Sequence, residues 1–111
     1  MTPGYYDHAH LEGFAGIGES RPELAEKFFA WYGAVMGDGA LSRREKSLIA
    51  LAVAHAVQCP YCIDAYSKTC LQTGADLDQM TEAVHVAAAL RGGASLVHGM
   101  QMRDHHDSIS M

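Results

Sequence analysis

Residues 41–74 read LSRREKSLIALAVAHAVQCPYCIDAYSKTCLQTG, and this stretch decides the fold. Ser42 followed three residues later by Glu45 is a capping box, which marks the start of a helix. The pattern predicts that this helix covers residues 43–57. Because its residues are apolar on nearly all sides, we expect it to be the central, buried helix.

The end of this central helix is marked by Pro60, which cannot continue it. A residue that precedes proline is disfavoured in the α region, so Cys59 should adopt an extended conformation and act as an N-cap. A second helix is therefore predicted over residues 60–73. Gly74 follows it and is expected to end it.

Outward from these two helices, the sequence predicts three more helical segments and no strand. Ser20 with Glu23 forms a capping box before a helix over Pro22–Met36, which a glycine pair stops. No segment alternates between apolar and polar residues with a period of two. The remaining predicted elements are a short helix over residues 8–14, a helix over residues 77–91 opened by Asp76 and Gln79 and ended by Gly92-Gly93, a helical stretch over residues 94–102, and a frayed tail over residues 103–111.

The length of 111 residues is that of a single domain, so we expect one all-α unit over residues 1–111, an alkylhydroperoxidase D-like helical bundle in the terms of the resemblance given below. Hydrophobic residues make up 49% of the chain and charged residues only 19%. That balance leaves an apolar surface on a small monomer, which favours a homo-oligomer.

The composition argues against several other classes of protein. The net charge of −5 and the scattered Lys and Arg residues predict no nucleic-acid partner. The longest apolar stretch, residues 48–57, is too short to span a membrane. The start of the chain, MTPGYYDHAHLEGF, lacks the pattern of a signal peptide. Three cysteines suit a cytoplasmic protein with a working dithiol better than a secreted disulfide scaffold.

The motif Cys59-Pro60-Tyr61-Cys62 indicates thiol redox chemistry. Both cysteines are predicted at a helix N-terminus, where free N–H groups and the macrodipole favour the thiolate. Residues three apart lie on one helix face, so the two thiols can close a disulfide and release it again. By the capping argument alone, Cys59 would carry the more accessible thiolate.

Two other interpretations of the motif are a thioredoxin-like domain and a zinc site. A thioredoxin or glutaredoxin domain requires strands and a later proline opposite the thiols, but no proline follows Pro60. A structural zinc site could recruit His55, Cys70 or His85, but a second close pair of ligands is missing. The sequence therefore predicts no metal and no cofactor, with the zinc site kept as an alternative.

Residues 41–74, together with the later stretch TEAVHVAAALRGGASLVHG, resemble the carboxymuconolactone decarboxylase and alkylhydroperoxidase D superfamily. The similarity covers roughly residues 41–102. The whole chain is also similar to a peroxidase-like subgroup associated with arsenosugar biosynthesis. The resemblance implies an all-helical fold assembled as a trimer or hexamer. It also implies reduction of small-molecule hydroperoxides, with recycling by a lipoyl or thioredoxin-like dithiol reductant.

The resemblance further implies that Cys62 attacks the peroxide and that Cys59 then forms the disulfide. Three positions of the family's proton relay differ in this chain. Tyr66 stands four residues after Cys62 and Tyr61 stands between the cysteines, where the family has histidines; Ser47 stands where the family has a glutamate. The dithiol is thus retained while the usual relay is not.

Four side chains could substitute for the relay. His55 lies one turn before Cys59 and could act as a base. Tyr66 could hydrogen-bond a peroxide oxygen, although it is no base near neutral pH. The simpler interpretation of Glu45 is that it caps the central helix. Along a straight helix it would also lie about 20 Å from Cys59. His85 falls on the polar side of its predicted helix, so it serves only if that helix packs beside the pair.

The predicted function is therefore a peroxiredoxin-type, thiol-dependent oxidoreductase. The alternative is a member of the same fold without peroxidase activity. Such a protein would be a lactone decarboxylase or isomerase, or an accessory protein that binds arsenicals or metals through its soft thiolates.

Overall fold

The computed structural model describes residues 14–110. It contains a short 3₁₀ helix, Phe14–Gly18, and four α-helices: α1 (Pro22–Met36), α2 (Arg43–Ala56), α3 (Pro60–Gln72) and α4 (Leu77–Ser110). These residues contain no strand, which confirms the all-α prediction. The helix predicted over residues 8–14 falls almost wholly outside the described part of the chain. Within residues 14–110, no helix combines the length and the apolar character that crossing a membrane requires.

Helix α2 is the centre of the fold and packs against both α3 and α4. Its predicted capping box is present. The Ser42 hydroxyl accepts from the Glu45 N–H at 3.1 Å, and the Glu45 carboxylate accepts from the Ser42 N–H at 2.9 Å. The predicted burial on all sides is wrong for the single chain. One face is buried, whereas the other remains exposed along Ile49, Val53 and Val57.

Helix α1 covers the predicted range, Pro22–Met36, but the predicted capping box of Ser20 and Glu23 is wrong. Arg21 is its N-cap, and no side chain makes a capping hydrogen bond there. The Arg21 guanidinium instead donates to the Glu23 carboxylate at 2.9 Å. Because Glu23 is engaged by Arg21, it is not available for the reciprocal bond that a box with Ser20 needs.

The C-terminus of α2 leads directly into the cysteine pair. The Cys59 N–H donates to the Ala54 carbonyl at 2.9 Å, the six-residue bond of a Schellman motif. Gln58 supplies the left-handed residue of this motif with a φ of 57°, and no other non-glycine residue in the described range has a positive φ. The Arg91 side chain of α4 donates to the Ala56 carbonyl at the same helix end.

The C-terminus of α3 uses the same motif with different residues. The Ala75 N–H donates to the Cys70 carbonyl at 2.9 Å, and Gly74 has a φ of 92°. The Thr73 hydroxyl donates to the Thr69 carbonyl at 2.8 Å. The prediction that Gly74 ends this helix is confirmed.

Helix α4 runs unbroken for 34 residues, so the predicted stop at Gly92-Gly93 and the frayed tail are both wrong. A glycine in a helix costs only about 1 kcal/mol relative to alanine, and neither glycine adopts a left-handed conformation. No proline follows Pro60 to interrupt the helix. Its predicted start is confirmed, since Asp76 and Gln79 exchange capping hydrogen bonds of 3.0 and 2.8 Å.

The core of the single chain is small. Leu51, Cys70 and Ala75 form a buried cluster, against which three half-buried residues pack: Leu48, Tyr66 and Met80. The radius of gyration is 18.8 Å, compared with about 13 Å for a compact chain of this length. This core lies between α2, the second half of α3 and the start of α4, and it holds the cysteine-bearing helix against α2.

Candidate functional site

The two cysteines of the motif form a closed disulfide at the N-terminus of α3. Cys59 is the N-cap, with extended backbone angles of −108° and 95°, as the following proline predicts. Its sulfur accepts a hydrogen bond from the Cys62 N–H at 3.2 Å. The two Cα atoms are 5.2 Å apart, a separation that a disulfide spans readily. The pair can therefore cycle between dithiol and disulfide without moving the backbone far.

Cys62 opens onto an apolar groove of about 500 Å³ between α1, α2 and α3. Cys59 is not part of its wall. The α2 side of the groove is formed by residues spaced three and four apart, which share one helix face. Besides Cys62, the lining residues are Tyr32, Val35, Met36, Leu41, Lys46, Ile49, Ala50, Val53, Ala54, Val57 and Tyr66.

Tyr66 stands beside Cys62 on α3 and lines the same groove. Its ring also packs on the buried core, so its position is held from behind. Both residues border a second, smaller cavity that Phe29 and Tyr32 of α1 complete. Burial raises the pKa of Tyr32 above its ordinary value, so its hydroxyl stays protonated and can donate a hydrogen bond.

Lys46 is the charged residue of the groove. Its ammonium donates to the Val35 and Gly37 carbonyls at 2.7 and 2.6 Å, which ties the C-terminus of α1 to the start of α2. An ammonium has three N–H donors, so one remains unused by these bonds. Within residues 14–110, no carboxylate lies within ion-pair distance of Lys46.

His55 lies on the Cys59 side of the motif. Its Nδ1 is 2.8 Å from the Leu51 carbonyl, which can only accept, so Nδ1–H donates this bond; in the neutral imidazole Nε2 then carries the lone pair. It lines a separate cavity of about 480 Å³ with Gln58, Pro60 and Ile63. The structure thus brings His55 next to the turn that carries Cys59 and not into the Cys62 groove.

Glu45 and His85 are not brought to the cysteine pair within one chain. Glu45 is held at the start of α2, and its hydrogen bonds with the Ser42 backbone and hydroxyl lower the pKa of its carboxyl. The cysteines follow the opposite end of that helix, about 16 Å away along its axis. His85 is exposed on α4, a helix that packs on α2. Ser47 is buried, and its hydroxyl donates to the Arg43 carbonyl at 2.7 Å.

Cys70 belongs to the core and not to the site. Its side chain is 0% exposed, and burial raises the pKa of its thiol. Within residues 14–110, no three His, Cys, Asp or Glu side chains cluster closely enough to hold a metal ion. The zinc site weighed from the sequence, with Cys70, His55 or His85 completing the pair, is therefore not formed by these residues.

Sequence reasoning missed Lys46 and Arg91 as residues of this region. For Lys46 a signal was present. It begins the spacing 46, 49, 50, 53, 54, 57 along α2, so it is the one charged residue on an otherwise apolar helix face. Arg91 had no such signal, because its contact with Ala56 joins residues 35 positions apart.

Comparison with known proteins gives a match over most of the chain. Residues 22–102 match the model of the Carboxymuconolactone decarboxylase family. A protein of Paracoccus denitrificans described as uncharacterized protein 4 in the cox locus is 42% identical over 87 residues. That alignment covers 76% of this chain and 78% of the relative.

Two solved structures share the fold. A crystal structure of a Methanobacterium thermoautotrophicum protein has a TM-score of 0.72 and 34% identity, covering 76% of this chain and 94% of that one. The apo structure of a carboxymuconolactone decarboxylase family protein from Legionella pneumophila has a TM-score of 0.68 and 34% identity, covering 81% and 85%. The peroxidase-like subgroup associated with arsenosugar biosynthesis stays a prediction.

Proposed function

The chain belongs to the carboxymuconolactone decarboxylase family, and from this premise we propose that it is a thiol-dependent, peroxidase-like oxidoreductase that reduces alkyl hydroperoxides. The observation that carries the proposal is the Cys59–Cys62 disulfide at a helix N-terminus, with one of its residues opening onto an apolar groove. A reversible disulfide in such a position is suited to thiol exchange.

In the reduced protein, the Cys62 thiolate attacks the terminal oxygen of the hydroperoxide. The O–O bond breaks, and Cys62 becomes a sulfenic acid. The departing alkoxide takes up a proton and leaves as an alcohol. The Cys59 thiolate then attacks the Cys62 sulfur, which forms the disulfide and releases water. A dithiol reductant, of lipoyl or thioredoxin-like chemistry, is oxidised in turn and restores both thiols.

Cys62 is favoured as the attacking residue because it is the cysteine that lines the groove. Access therefore supports the assignment that the family resemblance implied, against the capping argument that favoured Cys59. As the N-cap, Cys59 already accepts the Cys62 N–H, so its sulfur is held beside Cys62 for the second step.

Tyr66 and His55 are proposed to assist different steps. Tyr66 shares the groove with Cys62, and its hydroxyl can donate to the departing oxygen. His55 keeps a free Nε2 beside the Cys59 turn, which suits removal of the Cys59 proton before the disulfide closes. Glu45 and His85 could reach the pair only across a contact with a second copy of the chain.

We propose that the working protein is a cytoplasmic homo-oligomer, a trimer or a hexamer. Its support is the small core and the extended shape of the single chain. Large apolar side chains outside the groove are also exposed on α1 and α4, including Trp31 and Leu96. Exposed large apolar side chains in such number favour burial at a subunit interface.

The test treats the reduced protein with one equivalent of an organic hydroperoxide, alkylates the thiols that remain free, and compares its mass spectrum with that of untreated, alkylated protein. We expect the wild type to link Cys59 to Cys62 within seconds. Cys62→Ser should consume no hydroperoxide. Cys59→Ser should consume one equivalent and stop at a sulfenic acid that dimedone traps.

Cys70→Ala is the matched control, because this third cysteine is buried away from the groove, and it should behave as the wild type. Equal hydroperoxide consumption by both serine variants and the wild type would exclude the proposed mechanism. Thiols that stay free after the hydroperoxide is added would also exclude it.

A further inference from the structure

The Cys62 groove has two chemically different ends. Its α2 wall runs from Lys46 to the C-cap Val57, eleven steps along the helix axis, or about 16 Å. Because α3 begins four residues after α2 ends, Cys62 lies at the Val57 end. Lys46 lies at the opposite end, and the side chains between them are apolar.

The ammonium of Lys46 is not neutralised by the residues described. It is held by two backbone carbonyls, has one unused N–H, and has no carboxylate partner within residues 14–110. A positive charge at the edge of an apolar groove needs an anion or water to satisfy it. A carboxylate accepts strong, charge-assisted hydrogen bonds from such an ammonium.

We propose that this groove binds a linear, long-chain carboxylate, with its head at Lys46 and its hydroperoxide group at Cys62. The α2 wall, with its rise of about 16 Å between Lys46 and Val57, matches in length an extended chain of roughly a dozen carbon–carbon bonds of about 1.5 Å, shortened by their zigzag. The volume of about 500 Å³ also falls in the range of small-molecule sites. The substrate class is thus a fatty-acid hydroperoxide, and not hydrogen peroxide or a short, neutral hydroperoxide.

The reaction of this substrate rests on the proposed function, but its binding does not. The first measurement is therefore calorimetry with unreactive probes on the full chain. Dodecanoate should bind, while octanoate, which cannot span the groove, and dodecanol, which lacks the charge, should each bind about tenfold more weakly. Equal binding of dodecanoate and dodecanol would overturn the role of Lys46.

The second measurement compares oxidation of the dithiol by linoleic acid hydroperoxide and by its methyl ester. The wild type should prefer the acid by about tenfold, as one charge-assisted hydrogen bond predicts. In Lys46→Gln the preference should fall to near one, because the rate with the acid loses its charge-assisted contribution; an unchanged far-ultraviolet circular dichroism spectrum shows that the variant is folded. The glutamine amide can still donate to the carbonyls that end α1.

Lys68→Gln is the matched control, because Lys68 is an exposed lysine of α3 that pairs at 4.0 Å with Asp64 and does not line the groove. It should keep the full preference for the acid. A preference that survives in Lys46→Gln overturns the inference, as does an oligomer that excludes dodecanoate because a second copy fills the groove. Dodecanoate binding without any thiol oxidation would support the carboxylate site and reject the peroxidase activity. Equal oxidation by the acid and the ester would support the peroxidase activity and reject the carboxylate site.

Discussion

The C-termini of α2 and α3 are closed by the same hydrogen-bond pattern, yet they depend on different parts of the chain. At the end of α3, glycine takes the left-handed position, and Thr73 satisfies a carbonyl of its own helix. At the end of α2, glutamine takes that position, and Arg91 reaches across from α4 to a free carbonyl. The first end is therefore local and unstrained, whereas the second is strained and held by tertiary structure.

This difference bears on the site, because the strained C-terminus of α2 is directly followed by Cys59. Left-handed conformations of non-glycine residues occur preferentially at functional sites, where surrounding contacts hold them. The geometry of the dithiol thus depends on how α4 docks on α2. The end of α3 serves only to turn the chain toward α4.

The largest effect is expected from Gly74→Gln, which would give the α3 end the residue type found at the α2 end. A φ of 92° at Gly74 lies beyond the left-handed region that side chains tolerate. The free energy of unfolding should therefore fall by an amount near the top of the range of roughly 1–2 kcal/mol. Urea denaturation at fixed protein concentration measures it. Gly92→Gln in the interior of α4 is the control, and it should leave stability unchanged or slightly raised. Equal losses in both variants would argue against backbone strain as the cause.

A smaller effect is expected from Arg91→Met, which removes the long-range support of the α2 end. The loss of a charge-assisted bond to the Ala56 carbonyl should lower the unfolding free energy by about 1 kcal/mol, since the side chain is exposed. Hydrogen exchange should accelerate at the Cys59 amide and not at the Ala75 amide. Arg91→Lys should restore part of the protection. Uniform acceleration at both amides would contradict the contrast between the two ends.

The smallest effect, of opposite sign, is expected from Gln58→Gly. Glycine adopts the left-handed region without steric cost, but it also gains freedom in the unfolded chain, so the net stabilisation should be about 0.5 kcal/mol. Denaturation of the oxidised protein measures it. A destabilised variant would show that the Gln58 side chain makes a contribution larger than the strain it imposes.

The same contrast explains how much of the structure the sequence could predict. The local signals held: Ser42 with Glu45, Pro60 after Cys59, and Gly74 each specify a helix boundary within a few residues. The helix stop predicted at Gly92-Gly93 is wrong because a glycine can either end a helix in a left-handed conformation or continue it in a helical one. The two residues alone do not distinguish these cases.

The site was predictable to the same extent. The cysteine motif and its capped helix follow from adjacent residues, and the resemblance to a family supplied the fold around them. The groove, the charge of Lys46 within it, and the support from Arg91 depend on residues far apart in sequence. Only the packing of α1 and α4 on α2 brings these together, and no short pattern encodes that packing.

The burial of Cys70 limits the number of electrons that the thiols of one chain can exchange. A third thiol within reach of the pair would allow three different bridges, two of which would trap the chain in an inactive oxidised form. With Cys70 enclosed at 0% exposure, a single bridge is open to exchange. In the proposed function each chain would therefore exchange one pair of electrons per cycle, and a redox titration should end at two equivalents with one midpoint.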